Sequence, residues 1–186
     1  MSVELDTVRD VSERLSRAGI PFMLTGSMAM IAYAEPRMTR DVDVVIEVQP
    51  HDAARLVATF APDYYIDAET VARALRDERM FNVIHQEWIF KVDCIVRKNA
   101  PYRREEFARR QRLIIGDTET WVVSKEDLIL SKLCWGRDSR SEYQARDIRN
   151  LLLTGCDRVY VSKWAVELRV LDYLAEIGRA SCRERV

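Results

Sequence analysis

The sequence predicts an α+β domain followed by a small helical subdomain, because strand patterns dominate its middle and helical patterns its end. The strongest strand signal is DVDVVIEV at residues 41–48, which is rich in β-branched residues and alternates in polarity. Apolar residues make up 48% of the 186 residues, enough to bury a sizeable core. We place the α/β core at residues 1–123 and the helical subdomain at residues 124–176.

The first elements follow from local patterns. Apolar residues recur at three- and four-residue spacing over residues 5–15, which predicts a helix that ends before Gly19 and Pro21. A short apolar run at residues 22–25 predicts a buried strand, and a helix over 28–34 follows Gly26 and Ser27. Further on, we predict helices at 51–60 and 68–77, a strand pair at 81–84 and 87–96, a charged helix or loop at 102–111, and a hairpin of 113–115 with 120–123.

The C-terminal part reads as helical. Ser124 can cap the first of these helices, with Asp127 three residues on. Two more helices are predicted at residues 142–153 and 162–175, and the four tryptophans of the chain are expected in the core. The last ten residues, 177–186, resemble the translation of a sequencing adapter, so we expect them not to be native sequence.

Charge and cysteine content narrow the function. The formal net charge of −1 argues against bulk nucleic-acid binding, which needs a basic surface. Four widely separated cysteines form no CxxC pair, which excludes a CxxC zinc site and favours a reducing cytoplasm. No apolar stretch reaches the roughly 18 residues of a membrane span. We therefore expect a cytoplasmic protein that does not bind membranes.

Two carboxylates on one strand face are the first chemical signal. Gly26 and Ser27 are followed, after thirteen residues, by Asp41-Val42-Asp43. Side chains alternate along a strand, so Asp41 and Asp43 share a face with Cα atoms about 6.5–7 Å apart. Like charges repel there, and a hard divalent cation with oxygen ligands removes that cost. The alternative is a solvated face of an edge strand.

A third carboxylate strengthens the metal prediction. Asp93 lies in the strand pattern KVDCIV, on the same face as Lys91. If this strand pairs beside residues 41–48, three carboxylates converge and can hold two Mg²⁺ ions, with Asp93 as ligand or base. Gly26 lets the backbone approach a phosphate, and Ser27 can bind it or merely cap the following helix.

These residues resemble the polymerase-β-like nucleotidyltransferase superfamily, which also combines Gly-Ser, Asp-x-Asp and a later strand Asp. Further motifs resemble its small bacterial branch, that of AbiEii-like abortive-infection toxins. These motifs are RMTRDVD at 37–43 like RxTxDxD, KVD at 91–93 like KxD, SKEDLILSKL at 124–133 like a helix ending in Lys, and RDIRNLL at 146–152 like R-D-I-x-x-L-L.

The resemblance implies a mixed β-sheet flanked by helices and assigns roles to the matching residues. It implies that Asp41, Asp43 and Asp93 hold metal and carry catalysis. The residues implied to bind the nucleotide are Gly26, Ser27, Thr39, Arg40, Lys132 and Asp147, with Lys132 on the triphosphate and Asp147 orienting Lys132 or an arginine. The alternative for Lys132 and Asp147 is an internal salt bridge between two helices.

The leading functional hypothesis is Mg²⁺-dependent transfer of an NMP from an NTP to an acceptor hydroxyl. The acceptor would be tRNA or another RNA end, in a toxin–antitoxin setting with a cognate antitoxin as partner. The arginine-rich residues 103–112 could then receive the RNA, or they could be an ordinary solvated helix. Two alternatives are an adenylyltransferase acting on a small molecule such as an antibiotic, and an idle module that binds nucleotide or a partner.

Overall fold

The computed structural model describes residues 2–35 and 38–183, with side chains through residue 179. The chain divides into two compact units. The first comprises the chain through Val123 apart from Tyr33–Glu35, and the second comprises Tyr33–Glu35 and the chain from Ser124 onward. Within the described ranges, no helix is both long and apolar enough to cross a membrane.

The first unit is built on one mixed sheet, in the strand order β3-β4-β5-β2-β1-β7-β6. Its strands are β1 Phe22–Thr25, β2 Asp41–Ile46, β3 Tyr64–Tyr65, β4 Met80–His85, β5 Phe90–Val96, β6 Gln111–Ile115 and β7 Thr118–Val122. The neighbours β2 and β5 run parallel, as do β1 and β7, whereas the other neighbours are antiparallel. This architecture confirms the predicted fold, a mixed sheet flanked by helices.

The two faces of the sheet differ in burial. On β4, side chains alternate between buried Phe81 and Val83 and the more exposed Asn82 and Ile84. The covered face packs against the first helix, on which Val8, Val11 and Leu15 are fully buried. The flanking helices of this unit are α1 Val3–Arg17, α2 Gly26–Ala29, α3 Ala53–Phe60, α4 Ala68–Arg76 and α5 Pro101–Ala108. The more polar face is left to carry the three aspartates.

Several predicted elements of the first unit are confirmed and several needed correction. Gly19 follows α1 with φ +63°, as a helix-ending glycine does, and Gly116 has φ +65° in the β6–β7 turn. Helix α2 begins at Gly26 and tightens at Met30 into a 3₁₀ turn, so Ser27 lies inside it and does not cap it. The β4–β5 turn comprises residues 86–89, further along than predicted, because Ile89 takes the left-handed conformation.

The second unit consists of helices, with Tyr33–Glu35 added. They are α6 Lys125–Ser139, α7 Glu142–Leu153, α8 Arg158–Glu167 and α9 Leu171–Arg183. The Ser124 cap is confirmed, since its hydroxyl accepts from the backbone N–H of Asp127. The single helix predicted over 162–175 is wrong, because Arg169 takes φ +57° and breaks it into α8 and α9. The prediction that the four tryptophans lie in the core is also wrong, since Trp135 is 63% exposed and Trp88, Trp121 and Trp164 are only half-buried.

Helix α9 continues into the segment predicted to be adapter-derived. Ile177 is buried, and the helix runs to Arg183. The remainder of that segment, residues 184–186, lies outside the described residues. The origin of residues 177–186 stays a prediction, which recovery of the parent gene from a different library would test.

Candidate active site

The pairing of β2 with β5 brings the three aspartates onto neighbouring strands. The strands are parallel and in register, with Asp43 opposite Asp93 and Asp41 opposite Lys91. Neighbouring strands lie about 4.8 Å apart, and paired residues in register point to the same face. The predicted condition for convergence, that these two strands are neighbours, is therefore met.

Gly26 closes one side of this group. Strand β1 pairs with β2 so that Thr25 lies opposite Asp43, and Gly26 follows with φ +63°. A Cβ atom at Gly26 would lie 1.9 Å from Oδ2 of Asp43, far inside van der Waals contact. Glycine is required here for two reasons, the left-handed backbone and the space occupied by the carboxylate. Ser27 follows at the first turn of α2 and is buried.

Thr39 holds the first carboxylate. Its hydroxyl donates to Oδ1 of Asp41 at 2.8 Å, and the side chain is nearly buried. A neutral donor on one oxygen restricts the rotamer of Asp41 and leaves its other oxygen, Oδ2, facing away from Thr39. Arg40 is exposed to solvent. Arg37, which belongs to the same motif, lies outside the described residues.

Asp93 is fixed from two sides. The side-chain amide of Asn82 on β4 donates to its Oδ1 at 3.1 Å, and the Lys91 ammonium donates to its Oδ2 at 2.8 Å. Only 8% of the Asp93 side chain is exposed. Asn82 was missed at the level of sequence, although alternation along β4 places it on the same face as Asp93 once the strand pairing is known.

Lys91 also reaches the second strand. Its Nζ atom lies 3.6 Å from Oδ2 of Asp41, so the ammonium group bridges Asp41 and Asp93. The hydrogen bond with Asp93 raises the pKa of Lys91, against the lowering effect of partial burial. Among the residues that the structure describes, no cluster of three or more His, Cys, Asp or Glu side chains is arranged to hold a metal.

The chemistry of the donors nevertheless fits Mg²⁺. All three candidates are carboxylates on one face of the sheet, and hard divalent cations prefer oxygen ligands. On the side toward Gly26, the Asp43 carboxylate packs directly against the glycine backbone. Asp41, Asp43 and Asp93 are thus the residues that would hold the metal, and this assignment remains a prediction.

Lys132 and Asp147 come together in the second unit. The Nζ of Lys132 donates to Oδ2 of Asp147 at 2.7 Å, joining α6 to α7, and the two side chains are 4% and 2% exposed. Gln144 also accepts from Lys132 at 3.4 Å. Lys132 and Asp147 thus form an internal ion pair between two helices, as the alternative interpretation of these residues predicted. A role on the triphosphate remains a prediction.

The arginine-rich segment is largely engaged within the first unit. Arg103 pairs with the buried Glu106, and Arg112 pairs with Glu119. The Arg110 guanidinium lies over the ring of Phe107, with its centroid 4.3 Å away, and burial lowers the pKa of Arg110. These contacts support the interpretation of this segment as an ordinary helix and turn more than as a free basic patch.

The family is shown by comparison with known proteins. Residues 3–170 match the model of a family described as nucleotidyltransferases of unknown function, DUF6036, and the chain belongs to that family. This confirms the nucleotidyltransferase relationship inferred from the motifs, at the level of the broad class. No curated protein sequence matches the chain.

Solved structures share the fold. The antibiotic-resistance factor ANT(2″)-Ia, in complex with adenylyl-2″-tobramycin, has a TM-score of 0.63 at 14% identity, covering 90% of this chain and 98% of its own. The lincosamide antibiotic adenylyltransferase LnuA, lincomycin-bound, has 0.53 at 14%, covering 81% and 96%. An antigenic nucleotidyltransferase-like protein from Paracoccidioides brasiliensis has 0.51 at 18%, covering 82% and 76%. The TM-scores show that these proteins share the fold of this chain, and at identities this low the similarity shows nothing beyond the fold.

Proposed function

We propose that the protein transfers a nucleoside monophosphate from an NTP to an acceptor hydroxyl, with Mg²⁺ held by Asp41, Asp43 and Asp93. The observation that carries this proposal is the register of β2 and β5, with Asp43 opposite Asp93 and Asp41 two residues away. Gly26, packed against Asp43, adds a place where backbone can approach phosphate. The family supports the reaction class.

The proposed step is an in-line displacement at the α-phosphorus. A bond forms between the acceptor oxygen and the α-phosphorus, and the bond from that phosphorus to the oxygen bridging to the β-phosphorus breaks. Pyrophosphate leaves with that electron pair. The acceptor proton passes to a base, for which Asp93 is the candidate unless it serves purely as a metal ligand. Bound Mg²⁺ would supply neutralisation of the triphosphate and a lower pKa for the attacking hydroxyl.

The protein residues then have distinct tasks. Thr39 and Asn82 restrain Asp41 and Asp93, so the carboxylates need little rearrangement when substrate arrives. Gly26 and Ser27 would contact phosphate oxygens, Gly26 through its backbone and Ser27 through its hydroxyl. For Arg40, the exposed position beside Asp41 supports a nucleotide contact. For Lys132 and Asp147, the motif resemblance supports one.

For the acceptor, we favour a small hydroxylated molecule. Two of the fold relatives described above act on or bind antibiotics, which supports this acceptor class. The near-neutral charge and the internal pairing of Arg103 and Arg112 point the same way, because an RNA acceptor would need an open basic surface. An antibiotic adenylyltransferase is the most concrete form of this proposal.

The RNA-end acceptor, with a toxin–antitoxin role and a cognate antitoxin, is the second candidate. It is supported by the four motifs that resemble the AbiEii-like branch, which occur in order between residues 37 and 152. A small regulator encoded beside this gene would favour it. A cytoplasmic location suits either acceptor.

The test uses purified protein, Mg²⁺ and each α-phosphate-labelled NTP, with either total tRNA or a panel of hydroxylated antibiotics. The matched control is the double variant Asp41→Ala/Asp43→Ala. Label that appears on a small molecule with the unmodified protein and vanishes with the variant supports the favoured acceptor. Label on tRNA with the same dependence supports the second. Nucleotide binding without transfer to either would show an idle binding module instead.

A further inference from the structure

The ammonium group of Lys91 lies between two of the three carboxylates proposed to hold metal. Its Nζ atom is 2.8 Å from Oδ2 of Asp93 and 3.6 Å from Oδ2 of Asp41. Thr39 donates to Oδ1 of Asp41 and Asn82 donates to Oδ1 of Asp93, so Lys91 contacts the remaining oxygen, Oδ2, of each carboxylate. A positive charge therefore already stands where the free carboxylate oxygens face each other.

This contact answers an electrostatic need. Asp93 is 8% exposed, and a carboxylate removed from water is costly unless a partner compensates. Asn82 supplies a neutral donor, which satisfies one oxygen but leaves the charge. Lys91 supplies the compensating charge, because its ammonium group donates to Oδ2 of Asp93 at 2.8 Å.

The side chain of Lys91 can also move away from the two carboxylates. Its side chain is 39% exposed, and a flexible four-carbon stem carries the ammonium, so Nζ can move into water without moving the strand. A triphosphate-bound divalent cation brings more charge and needs the same two oxygens. The Lys91 ammonium and a metal ion cannot both contact Oδ2 of Asp41 and Oδ2 of Asp93 at the same time.

We propose that Lys91 is a built-in counterion that neutralises Asp41 and Asp93 while the divalent metal is absent and yields these contacts when the metal binds. The proposal rests on the proposed function, because it takes Asp41 and Asp93 as metal ligands. Lys91 is a positioning residue in this scheme, since it acts through the two carboxylates. Its displacement weakens the apparent metal affinity, which scales with the fraction of molecules in which Lys91 does not contact the two carboxylates.

The proposal predicts that Lys91→Gln destabilises the metal-free protein but binds Mg²⁺ more tightly. Without metal the variant should unfold at a lower temperature, because two close carboxylates lose their counterion. With Mg²⁺ the difference should close, and the Mg²⁺ concentration for half-maximal stabilisation should fall about tenfold, since no internal cation competes. A lysine with a purely structural role would lower the melting temperature equally at every Mg²⁺ concentration.

Thermal unfolding of the full chain over a series of concentrations of Mg²⁺ alone tests this. Lys91→Arg keeps a cation and should not lower the half-saturating concentration, and Lys98→Gln removes an exposed lysine further along the chain as a matched control. Asp41→Asn should weaken the Mg²⁺ response. An unchanged or raised half-saturating concentration in Lys91→Gln would overturn the proposal, and so would a lack of any Mg²⁺ response in the unmodified protein.

The failure of this proposal is distinguishable from failure of the proposed function. The unfolding measurement contains neither nucleotide nor acceptor, so it reports the competition for the carboxylates and not the transfer. Transfer activity combined with an unchanged half-saturating concentration would overturn the counterion role alone. A tenfold fall without any transfer would leave the counterion role standing and remove the proposed function.

Discussion

Gly26 and Asp43 are in such close contact that no other residue fits at position 26: a Cβ there would lie 1.9 Å from Oδ2 of the carboxylate. The left-handed backbone at Gly26 adds a second requirement for glycine. The contact joins the start of α2 to the middle of β2. It thereby ties the candidate phosphate-binding backbone to a candidate metal ligand.

Replacement of Gly26 by alanine should separate these two requirements. Gly26→Ala is expected to reduce transfer about 100-fold, because the methyl group displaces Asp43. Gly19→Ala is the matched control, having the same φ of +63° and nothing within 4 Å of a Cβ. Backbone strain should cost each variant about 1–2 kcal/mol of unfolding free energy. Gly26→Ala should lose more than Gly19→Ala, because its methyl group must displace Asp43, and only Gly26→Ala should lose activity. Equal activities in the two variants would contradict this account.

The hydroxyl of Thr39 provides a second test. Thr39→Val removes the donor to Oδ1 of Asp41 while keeping the shape of the side chain. We expect transfer to fall about tenfold, the effect of losing one hydrogen bond that positions a reacting group. Thr39→Ser restores a hydroxyl and should recover most of the rate. Steady-state rates at saturating Mg²⁺ measure both, and a Thr39→Val rate equal to that of the unmodified protein would refute the role.

The buried pair in the second unit leads to a stability prediction. Lys132→Met leaves the carboxylate of Asp147 buried without its ammonium, and should cost about 3–5 kcal/mol in a denaturant titration. The double variant Lys132→Met/Asp147→Leu removes both charges and should recover much of that loss. If the double variant loses as much unfolding free energy as Lys132→Met and Asp147→Leu lose together, the two residues are not energetically coupled. Transfer by a stable double variant would argue against a nucleotide contact by Lys132.

Tyr64 predicts how stability responds to alkaline pH. Burial raises the pKa of its phenol above the ordinary 10.0, and the hydrogen bond to Asp10 adds to the shift. A group whose pKa is higher in the folded state stabilises the fold fully below pH about 10 and loses that contribution as pH rises further. Tyr64→Phe should therefore show a shallower loss of stability above pH about 10.

Tyr65→Phe is the matched control for that experiment, since Tyr65 is 64% exposed. Burial also raises the pKa of the Cys94 thiol, which adds a loss of the same sign to both variants. Melting temperatures measured at intervals from neutral to strongly alkaline pH give the slopes. Equal slopes for Tyr64→Phe and Tyr65→Phe would show that the buried phenol does not titrate as expected.

Sequence patterns predicted the fold best where periodicity was strong. Strand β1 and helix α7 have the predicted bounds, because an uninterrupted apolar run and a regular helical stripe leave few alternatives. Strand β3 was not predicted, since a two-residue strand has no period to detect. The break at Arg169 was also missed, because a left-handed arginine carries no local signal of the kind that glycine gives.

The candidate site was predictable in its carboxylates but not in its supporting contacts. Alternation places Asp41 and Asp43 on one face of β2, and their convergence with Asp93 had to await the pairing of β2 with β5. Asn82 and the bridging position of Lys91 depend on the register of three strands, which no single-strand pattern specifies. Contacts across strands are thus the part of the site that needs a structure.

The measurement that most directly tests the central claim compares the unmodified protein with Asp93→Asn, which keeps the shape of the side chain and removes its charge. Pyrophosphate release and acceptor labelling are followed together, with Mg²⁺, NTP and the acceptor that becomes labelled in the transfer experiment. We predict one pyrophosphate per labelled acceptor for the unmodified protein, and a rate at least about 100-fold lower for a folded Asp93→Asn variant. Equal rates for the two proteins, or no Mg²⁺-dependent transfer by the unmodified protein with any NTP and acceptor tested, would contradict the account.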